Sequence, residues 1–381
     1  MTSGRHYDVV IVGGGVVGQA CAWFLACDLG YAGRVAVIER DPAYGRASSA
    51  LSVSSIRQQF STPASIAMSR FGFSFVERFA EEVALVRRGY LLVADAARAP
   101  MLEANWAVQQ ANGADVERLD PATLRARHPW LNTEDLVLAT YGRSGEGWFD
   151  GYTLMQILRR GARAAGVAAI TGEVCGFARQ GRRLRAATLA DGERIEAGVF
   201  VDAGGPWGGR VAAMAGIDIP VVARKRQVFV VDCRTPIEAM PMLFDPSGVY
   251  CRPEGRHFLI GRAPEADDDP DEPPLEVDHR QFEEAIWPRL AHRVPAMQAL
   301  KVVSAWAGYY AYNPIDRNAL IGPHPELDDL LLATGFSGHG MQHAPATGRG
   351  IAELIVHGRY TSLDLGAFAA DRTPIVETNV Y

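Results

Sequence analysis

The 381-residue sequence lacks several features that would place it in other classes of protein. No apolar run reaches the roughly 18 residues of a membrane-spanning helix. The first residues run directly into an apolar strand, so we expect no signal or transit peptide. There is no basic tract and the formal net charge is −6, which argues against nucleic acid as a partner. We therefore expect a cytoplasmic protein without a membrane span.

Cysteine is scarce as well. The cysteines form neither C-x-x-C nor a Cys/His spacing typical of a metal site; they are Cys21, Cys27, Cys175, Cys233 and Cys251. An odd number of scattered cysteines indicates buried free thiols in a reducing compartment. We expect no metal centre.

What the sequence does contain is a complete dinucleotide-binding pattern in residues 8–40. A short β-branched strand leads into G-x-G-x-x-G at Gly13, Gly15 and Gly18, followed by an apolar helix and a second strand that ends at Glu39. The glycines allow a tight turn, close approach to a pyrophosphate and close helix–strand packing, while the helix N-terminus faces the phosphates. Glu39 lies 21 residues after Gly18, near the spacing of an acid that binds ribose hydroxyls. The pattern alone does not distinguish NAD from FAD.

Glycine turns also follow two later buried strands, at 199–205 and 330–340. Helices are predicted over residues 19–28, 61–82, 101–113 and 150–166 and from about 344 to 357, with β-hairpins over 172–197. Because ligands bind beyond the carboxyl ends of strands in open α/β sheets, three such turns favour one long ligand, FAD. We expect a composite α/β (α+β) fold, with a discontinuous Rossmann-like FAD-binding domain (1–84, 148–220, 318–381). An inserted antiparallel-sheet substrate domain (85–147, 221–317) would roof it.

Several motifs together resemble one family. The segments are Val199-Phe-Val-Asp-Ala-Gly-Gly-Pro-Trp207, Trp306-Ala-Gly-Tyr-Tyr310 and Gly335-Phe-Ser-Gly-His-Gly-Met-Gln342. They resemble the D-amino-acid-oxidase-type flavoproteins, which include glycine oxidase, sarcosine oxidase and D-amino-acid dehydrogenases, over essentially the full length. Residues 51–60 and Gly322-Pro-His324 are most similar to the branch with a mitochondrial FAD-dependent oxidoreductase-domain protein associated with complex I assembly.

This resemblance implies the residues that hold FAD. They are Gly13, Gly15, Val17, Gly18, Glu39, Arg40, Ser48, Ser49, Ser52, Val53, Val174, Ala203, Gly204, Trp207, Gly335, Gly338, His339, Gly340, Met341 and Gln342. The amides of residues 338–341, at a helix start, would stabilise the negative charge of a reduced flavin. Relatives attach flavin covalently through Cys or His, and neither residue stands at the corresponding places here. We therefore expect noncovalent FAD.

The resemblance also implies oxidation of a C–N bond in an amine or amino-acid substrate, whose carboxylate an arginine would bind. Tyr310 stands where many relatives have that arginine. Arg57 is the next candidate, and Gln342 replaces an assisting lysine. Tyr250 would face the substrate, and strand alternation places Arg252 on the same face. His339 would contact flavin or substrate.

Three functions stay open. The first is oxidation of an amine or N-substituted amino acid, with catalytic roles for Arg57, Tyr250 and His339. The second is a 2-hydroxy-acid dehydrogenase on the same fold, and the third is an assembly or interaction factor with weak catalysis. The electron acceptor would be O2, a quinone or a carrier protein. Leu259, at the place of an oxygen-activating lysine, favours a dehydrogenase. The oligomeric state is open.

Overall fold

A computed structural model describes residues 5–378. The strands are β1 Arg5–Val12, β2 Val35–Glu39, β3 Ser55–Ile56, β4 Tyr90–Ala94, β5 Val116–Leu119, β6 Leu138–Gly142, β7 Gly147–Trp148, β8 Ala168–Thr171, β9 Val174–Gln180, β10 Arg183–Leu189, β11 Arg194–Asp202, β12 Val222–Cys233, β13 Met242–Phe244, β14 Val249–Glu254, β15 His257–Arg262, β16 Leu300–Tyr312, β17 Leu320–Pro323 and β18 Leu330–Thr334. The α-helices are α1 Val16–Trp23, α2 Pro63–Glu77, α3 Ala99–Ala111, α4 Pro121–Arg127, α5 Gly151–Ala164, α6 Gly208–Met214, α7 Trp287–Arg293 and α8 Gly340–His357.

The first sheet is built around the predicted dinucleotide pattern. Its strand order is β17-β18-β11-β1-β2-β8, in which β18, β11, β1, β2 and β8 are parallel. The meander β9-β10 continues from β11. Side chains of β1 alternate between two cores: Val9 and Ile11 pack with α1, α5 and α8, while Val10 and Val12 pack with the meander and α6. A strand buried on both faces explains the continuous apolar run in the sequence.

The second sheet roofs the first. Its strand order is β16-β12-β15-β14-β13-β4-β6-β5, and all of these strands fall within the ranges predicted for the substrate domain. The domain bounds themselves stay a prediction, and their outermost residues, 1–4 and 379–381, lie outside the described part. The sheet is not wholly antiparallel, because β13 pairs parallel to β4. These two strands come from separate stretches of the chain, so no hairpin turn sets their direction.

Four predicted elements differ in extent. Helix α8 begins at Gly340 rather than Ala344, so the glycine loop includes the first helical turn. Helix α1 starts at Val16 and continues as a π-helical turn, Phe24–Asp28. Helix α2 ends at Glu77 and is followed by turns. The last predicted hairpin strand and the buried strand at 199 form one strand, β11.

Two other expectations can be compared with the described residues. Cys21 and Cys251 are buried free thiols as predicted, but Cys27 and Cys175 are exposed. Within residues 5–378, no helix combines the length and apolarity needed to cross a membrane.

Candidate functional site

A cavity of about 330 Å³ lies between the carboxyl ends of β1, β2, β11 and β18 and the roof sheet. This is the edge where ligands bind in open α/β sheets. Most of the residues predicted to hold FAD line it: Gly13, Gly15, Val17, Glu39, Arg40, Ser48, Ser49, Ser52, Val53, Val174, Ala203, Gly204, Trp207, Gly338, His339, Gly340, Met341 and Gln342. Gly18 and Gly335 lie outside the lining.

The turn after β1 can be made only with glycine. Gly13 has φ +105°, and a Cβ there would lie 2.2 Å from the carbonyl oxygen of Ala203. A Cβ on Gly18 would lie 1.9 Å from the carbonyl oxygen of Gly13. Gly18 thus acts behind the cavity, by letting α1 approach the turn. The result is a backbone turn at a helix N-terminus that lines the cavity, which suits a phosphate group.

Glu39 ends β2 and fixes the neighbouring backbone. Its carboxylate accepts hydrogen bonds from the amides of Gly14 and Asp41, each at 2.8 Å. The Arg40 guanidinium stacks on Trp207, with 3.7 Å between the guanidinium carbon and the ring centroid. These contacts place an acid and a cation–aromatic pair at the cavity edge where the resemblance puts the adenosine.

The serine-rich connection after β2 joins the two sheets across the cavity. Ser49 Oγ accepts a hydrogen bond from the Val16 amide at 2.9 Å, and Ser48 Oγ donates to the carbonyl oxygen of Tyr309 at 2.6 Å. Trp306 Nε1 donates to the carbonyl oxygen of Leu51 at 2.9 Å. The unusual length of this connection is therefore used to line the cavity.

The third glycine turn ends at the N-terminus of α8. Gly338 has φ +101°, and a Cβ there would lie 2.5 Å from the Tyr310 ring. His339 is the residue before the first helical turn, so the first amides of α8 face the cavity together with its positive dipole end. Gly335, also at positive φ (+77°), instead turns the chain out of β18.

The other end of the cavity contains the predicted substrate residues Arg57, Tyr250, Tyr310, His339 and Gln342. Arg57 is only 4% exposed. Its Nη1 donates to the carbonyl oxygen of Gln59, its Nη2 lies 3.2 Å from His339 Nε2, and its backbone amide donates to Gln342 Oε1 at 2.9 Å. The structure therefore brings Arg57 to the start of α8, 282 residues further along the chain.

The contact with Arg57 defines the state of His339. Because a guanidinium has only donors, His339 Nε2 must accept this hydrogen bond, and the ring proton of the neutral imidazole lies on Nδ1. Burial and the positive charge of Arg57 hold the pKa of His339 well below its usual range. His339 is thus a neutral hydrogen-bonding group and cannot use Nε2 as a base while this contact holds.

Tyr250 lies on the roof above this end. Its hydroxyl oxygen would be 2.3 Å from a Cβ on Gly261, so the glycine in β15 leaves space for the ring. Burial is the main cause that raises the pKa of Tyr250 above its usual value, which keeps the hydroxyl protonated as a donor.

Two residues singled out from the sequence lie elsewhere. Arg252 shares a face of β14 with Tyr250 but does not line the cavity; its Nη2 donates to the carbonyl oxygen of Val53 at 2.7 Å. Arg252 therefore lies behind the segment that contains Val53, which lines the cavity. Leu259 is buried in β15 and is also outside the lining.

The structure adds lining residues that the sequence did not single out: Tyr90, Arg226, Val228, Met242 and Phe244. Arg226 forms a bidentate ion pair with Asp269, at 2.8 and 2.9 Å. The sequence signal that could have indicated Arg226 was a charged side chain within the strand β12. The apolar residues gave no such signal, because every core strand of the roof has similar ones.

This glycine-turned cleft, covered by a second sheet, is typical of a dinucleotide-binding protein. The chain matches the model of the FAD dependent oxidoreductase (DAO) family over residues 8–354. It belongs to that family, and its cofactor is FAD. The predicted resemblance is confirmed.

Curated relatives and solved structures that are similar to the chain agree with this family. The chain is 40% identical over 421 residues to FAD-dependent oxidoreductase domain-containing protein 1 of Xenopus laevis, covering 98% of this chain and 84% of the relative. The solved structure of L-proline dehydrogenase from P. horikoshii superposes with a TM-score of 0.85 at 26% identity, covering 96% of this chain and 97% of that one. That of glycine oxidase from Geobacillus kaustophilus gives 0.83 at 25% identity, covering 97% and 99%.

Proposed function

We propose that this protein oxidises the C–N bond of an amino acid or an N-substituted amino acid. The observation that carries the proposal is the buried Arg57 guanidinium on the cavity wall, beside the start of α8. The carboxylates that line the cavity in the described residues are Glu39, Asp41 and Glu173, all on the side of the dinucleotide turn. The opposite end has no carboxylate in the described lining, and the Arg57 guanidinium there suits the carboxylate of a substrate.

Arg57 would bind that carboxylate and so fix the substrate carbon relative to the helix start. Contacts with His339 and the carbonyl oxygen of Gln59 hold the guanidinium in place. An oriented substrate avoids much of the entropic cost of reaction. Tyr250, Tyr310 and Tyr90 would enclose the rest of the molecule and exclude water.

The amine would have to react in its neutral form. His339 is neutral, but its Nε2 already accepts a hydrogen bond, so it is a poor candidate for removing a proton. When bound, FAD accepts the hydride that leaves the substrate carbon. Loss of that hydride from a neutral amine would leave a protonated imine. Its reaction with water would give a carbonyl compound and a protonated amine or ammonium, so no separate base has to take up the N–H proton. The fold is similar to those of glycine oxidase and L-proline dehydrogenase. Glycine and proline are both amines, and this similarity supports an amine donor.

A 2-hydroxy acid is the second candidate, because Arg57 would bind its carboxylate in the same way. Anaerobic bleaching of the flavin with panels of D- and L-amino acids, N-alkyl amino acids and 2-hydroxy acids distinguishes them. We expect reduction by amines. Reduction by hydroxy acids alone would refute the proposal, and a fully flavinated sample that no compound reduces would favour an assembly or interaction role. Admitting O2, or a quinone, to the reduced protein then identifies the acceptor.

The role of Arg57 has its own test. Arg57→Ala removes charge-assisted hydrogen bonds worth about 1.5–3 kcal/mol each. For two such bonds we expect KM to rise by roughly 10² to 10⁴-fold with the best substrate. Arg57→Lys keeps the charge but not the fork, and should recover only part of the loss. An unchanged KM in Arg57→Ala would exclude a carboxylate-binding role.

A further inference from the structure

A carboxylate is buried behind Arg57, outside the cavity lining. Glu146 lies in the turn between β6 and β7 and is 1% exposed. Its Oε1 accepts a hydrogen bond from the Gln58 amide at 2.7 Å. Its Oε2 accepts from the Tyr90 amide at 3.1 Å and from Gln59 Nε2 at 3.0 Å. Glu146 thus binds the backbone amide of Gln58 and the side-chain amide of Gln59, the two residues that follow Arg57.

This arrangement of hydrogen-bond donors favours an ionised carboxylate. All three partners of Glu146 are donors, so both of its oxygens must act as acceptors. An amide in the same place would turn its NH2 group toward at least one of these donors. Gly142 provides the space, because a Cβ there would lie 1.9 Å from Glu146 Oε2.

The contacts continue to the guanidinium. Gln59 Nε2 also donates to the carbonyl oxygen of Tyr90 at 3.1 Å, and Gln59 Oε1 accepts from Thr140 Oγ1 at 2.6 Å. With its side chain held at both ends, Gln59 presents its backbone carbonyl oxygen to Arg57 Nη1. Glu146 and two buried groups of the roof sheet therefore fix Gln59, the residue on which Arg57 rests.

We propose that Glu146 is a positioning residue for the substrate carboxylate: it anchors residues 58–59, and through the Gln59 carbonyl oxygen it aims Arg57 into the cavity. This inference rests on the proposed function of Arg57. It adds a residue that touches neither substrate nor flavin and yet determines the affinity for a carboxylate.

Two possible roles of Glu146, as a charge and as an anchor, can be distinguished by the direction in which anion binding changes when Glu146 is replaced. Burial raises the pKa of Glu146 to about 7, and the charged or titratable groups facing it are Arg57, Tyr90 and Tyr141. If Glu146 acted only through its charge, removing that charge would leave Arg57 less compensated and would strengthen the binding of an anion. As an anchor, its loss weakens the binding of that anion. The two roles predict opposite changes.

The experiment titrates the FAD-loaded protein with benzoate and follows the flavin absorbance. Benzyl alcohol, with the same ring and no charge, is the matched neutral ligand. The variants are Glu146→Gln, Glu146→Asp, Arg57→Ala and the double variant Arg57→Ala/Glu146→Gln. Glu103→Gln is the control for loss of a carboxylate, because Glu103 forms an exposed ion pair with Arg118.

We expect Glu146→Gln to weaken benzoate by roughly ten- to a hundredfold, the effect of displacing a charge-assisted contact. Glu146→Asp keeps two acceptor oxygens and should lose less. Benzyl alcohol should bind equally to all. In the Arg57→Ala background, Glu146→Gln should have no further effect, because the group that it positions is gone.

Several outcomes would overturn the inference: benzoate that binds Glu146→Gln as tightly as wild type or more tightly, a parallel loss for benzyl alcohol, or an undiminished effect in the Arg57→Ala background. If Glu146→Gln yields no holoprotein, Glu146→Asp is judged by the same criteria. If Arg57→Ala alone leaves benzoate binding unchanged, it is the proposed function of Arg57 that fails.

Discussion

Replacing Gly18 by alanine tests the geometry of the phosphate turn. Gly18 does not line the cavity, so its replacement can change FAD binding only by moving the backbone. A Cβ at this position would lie 1.9 Å from the Gly13 carbonyl oxygen, while ordinary contact begins at 3.4 Å. One atom belongs to the first turns of α1 and the other to the backbone of the turn that follows β1. The turn or the helix must therefore move by 3.4 − 1.9 = 1.5 Å.

A displacement of this size breaks hydrogen bonds to a bound pyrophosphate. An N–H···O bond near 2.9 Å that lengthens by more than an ångström is lost. Each bond to a charged group contributes about 1.5–3 kcal/mol. Losing one or two of them in Gly18→Ala would raise the Kd of FAD by roughly 10 to 10⁴-fold.

Reconstitution of the apoprotein with FAD, followed by quenching of flavin fluorescence, measures this Kd. Gly176→Ala is the matched control, because no atom lies within 4 Å of a Cβ there. It should bind FAD as wild type does. If Gly18→Ala folds and binds FAD with an unchanged Kd, the close approach of α1 does not hold the phosphate turn, and the reasoning is wrong.

Three further outcomes are expected. Burial lowers the pKa of His343 to about 3, so the stability contributed by the neutral ring is complete above its unfolded pKa of 6.5 and is lost as the pH falls toward 3. For the apoprotein, the stability lost by pH 5 is about 2 kcal/mol. Urea unfolding of His343→Gln should show a smaller loss of stability between pH 7 and 5. Acid precipitation should release intact FAD into the supernatant, since no cysteine lines the cavity in the described residues and His339, which does line it, is hydrogen-bonded to Arg57; flavin retained in the pellet would contradict noncovalent binding. Gly338→Ala, at positive φ and against Tyr310, should lower FAD content in purified protein, and an unchanged content would contradict the tight packing there.

The dinucleotide end of the site could be read from the sequence because its determinants are local. The turn after β1, the packing glycine and the acid at the end of β2 lie within about thirty residues, and each is required by backbone geometry. Helix boundaries were harder to predict. Helix α8 begins four residues before the predicted start, because Gly340 is a poor helix former and yet lies in its first turn.

The substrate end depends on contacts between distant segments, which a single sequence does not specify. Strand alternation correctly placed Tyr250 and Arg252 on one face of β14. It could not show that the connection after β2 passes over that face, so that Val53 lies between Arg252 and the cavity. Glu146 was missed for the same reason, because its three partners come from the segment at 58–59 and from β4.

The position of Arg57 has a consequence for how substrate and cofactor binding are coupled. An arginine at the place of Tyr310 would stand on the roof sheet, whereas Arg57 stands on the connection after β2 and bonds to His339 and Gln342 of the α8 start. The group that would bind the substrate carboxylate and the helix turn that would face the flavin therefore form one hydrogen-bonded unit. The roof can influence the aim of Arg57 through Gln59, whose side chain is held by Glu146 and by Tyr90 and Thr140 of the roof sheet.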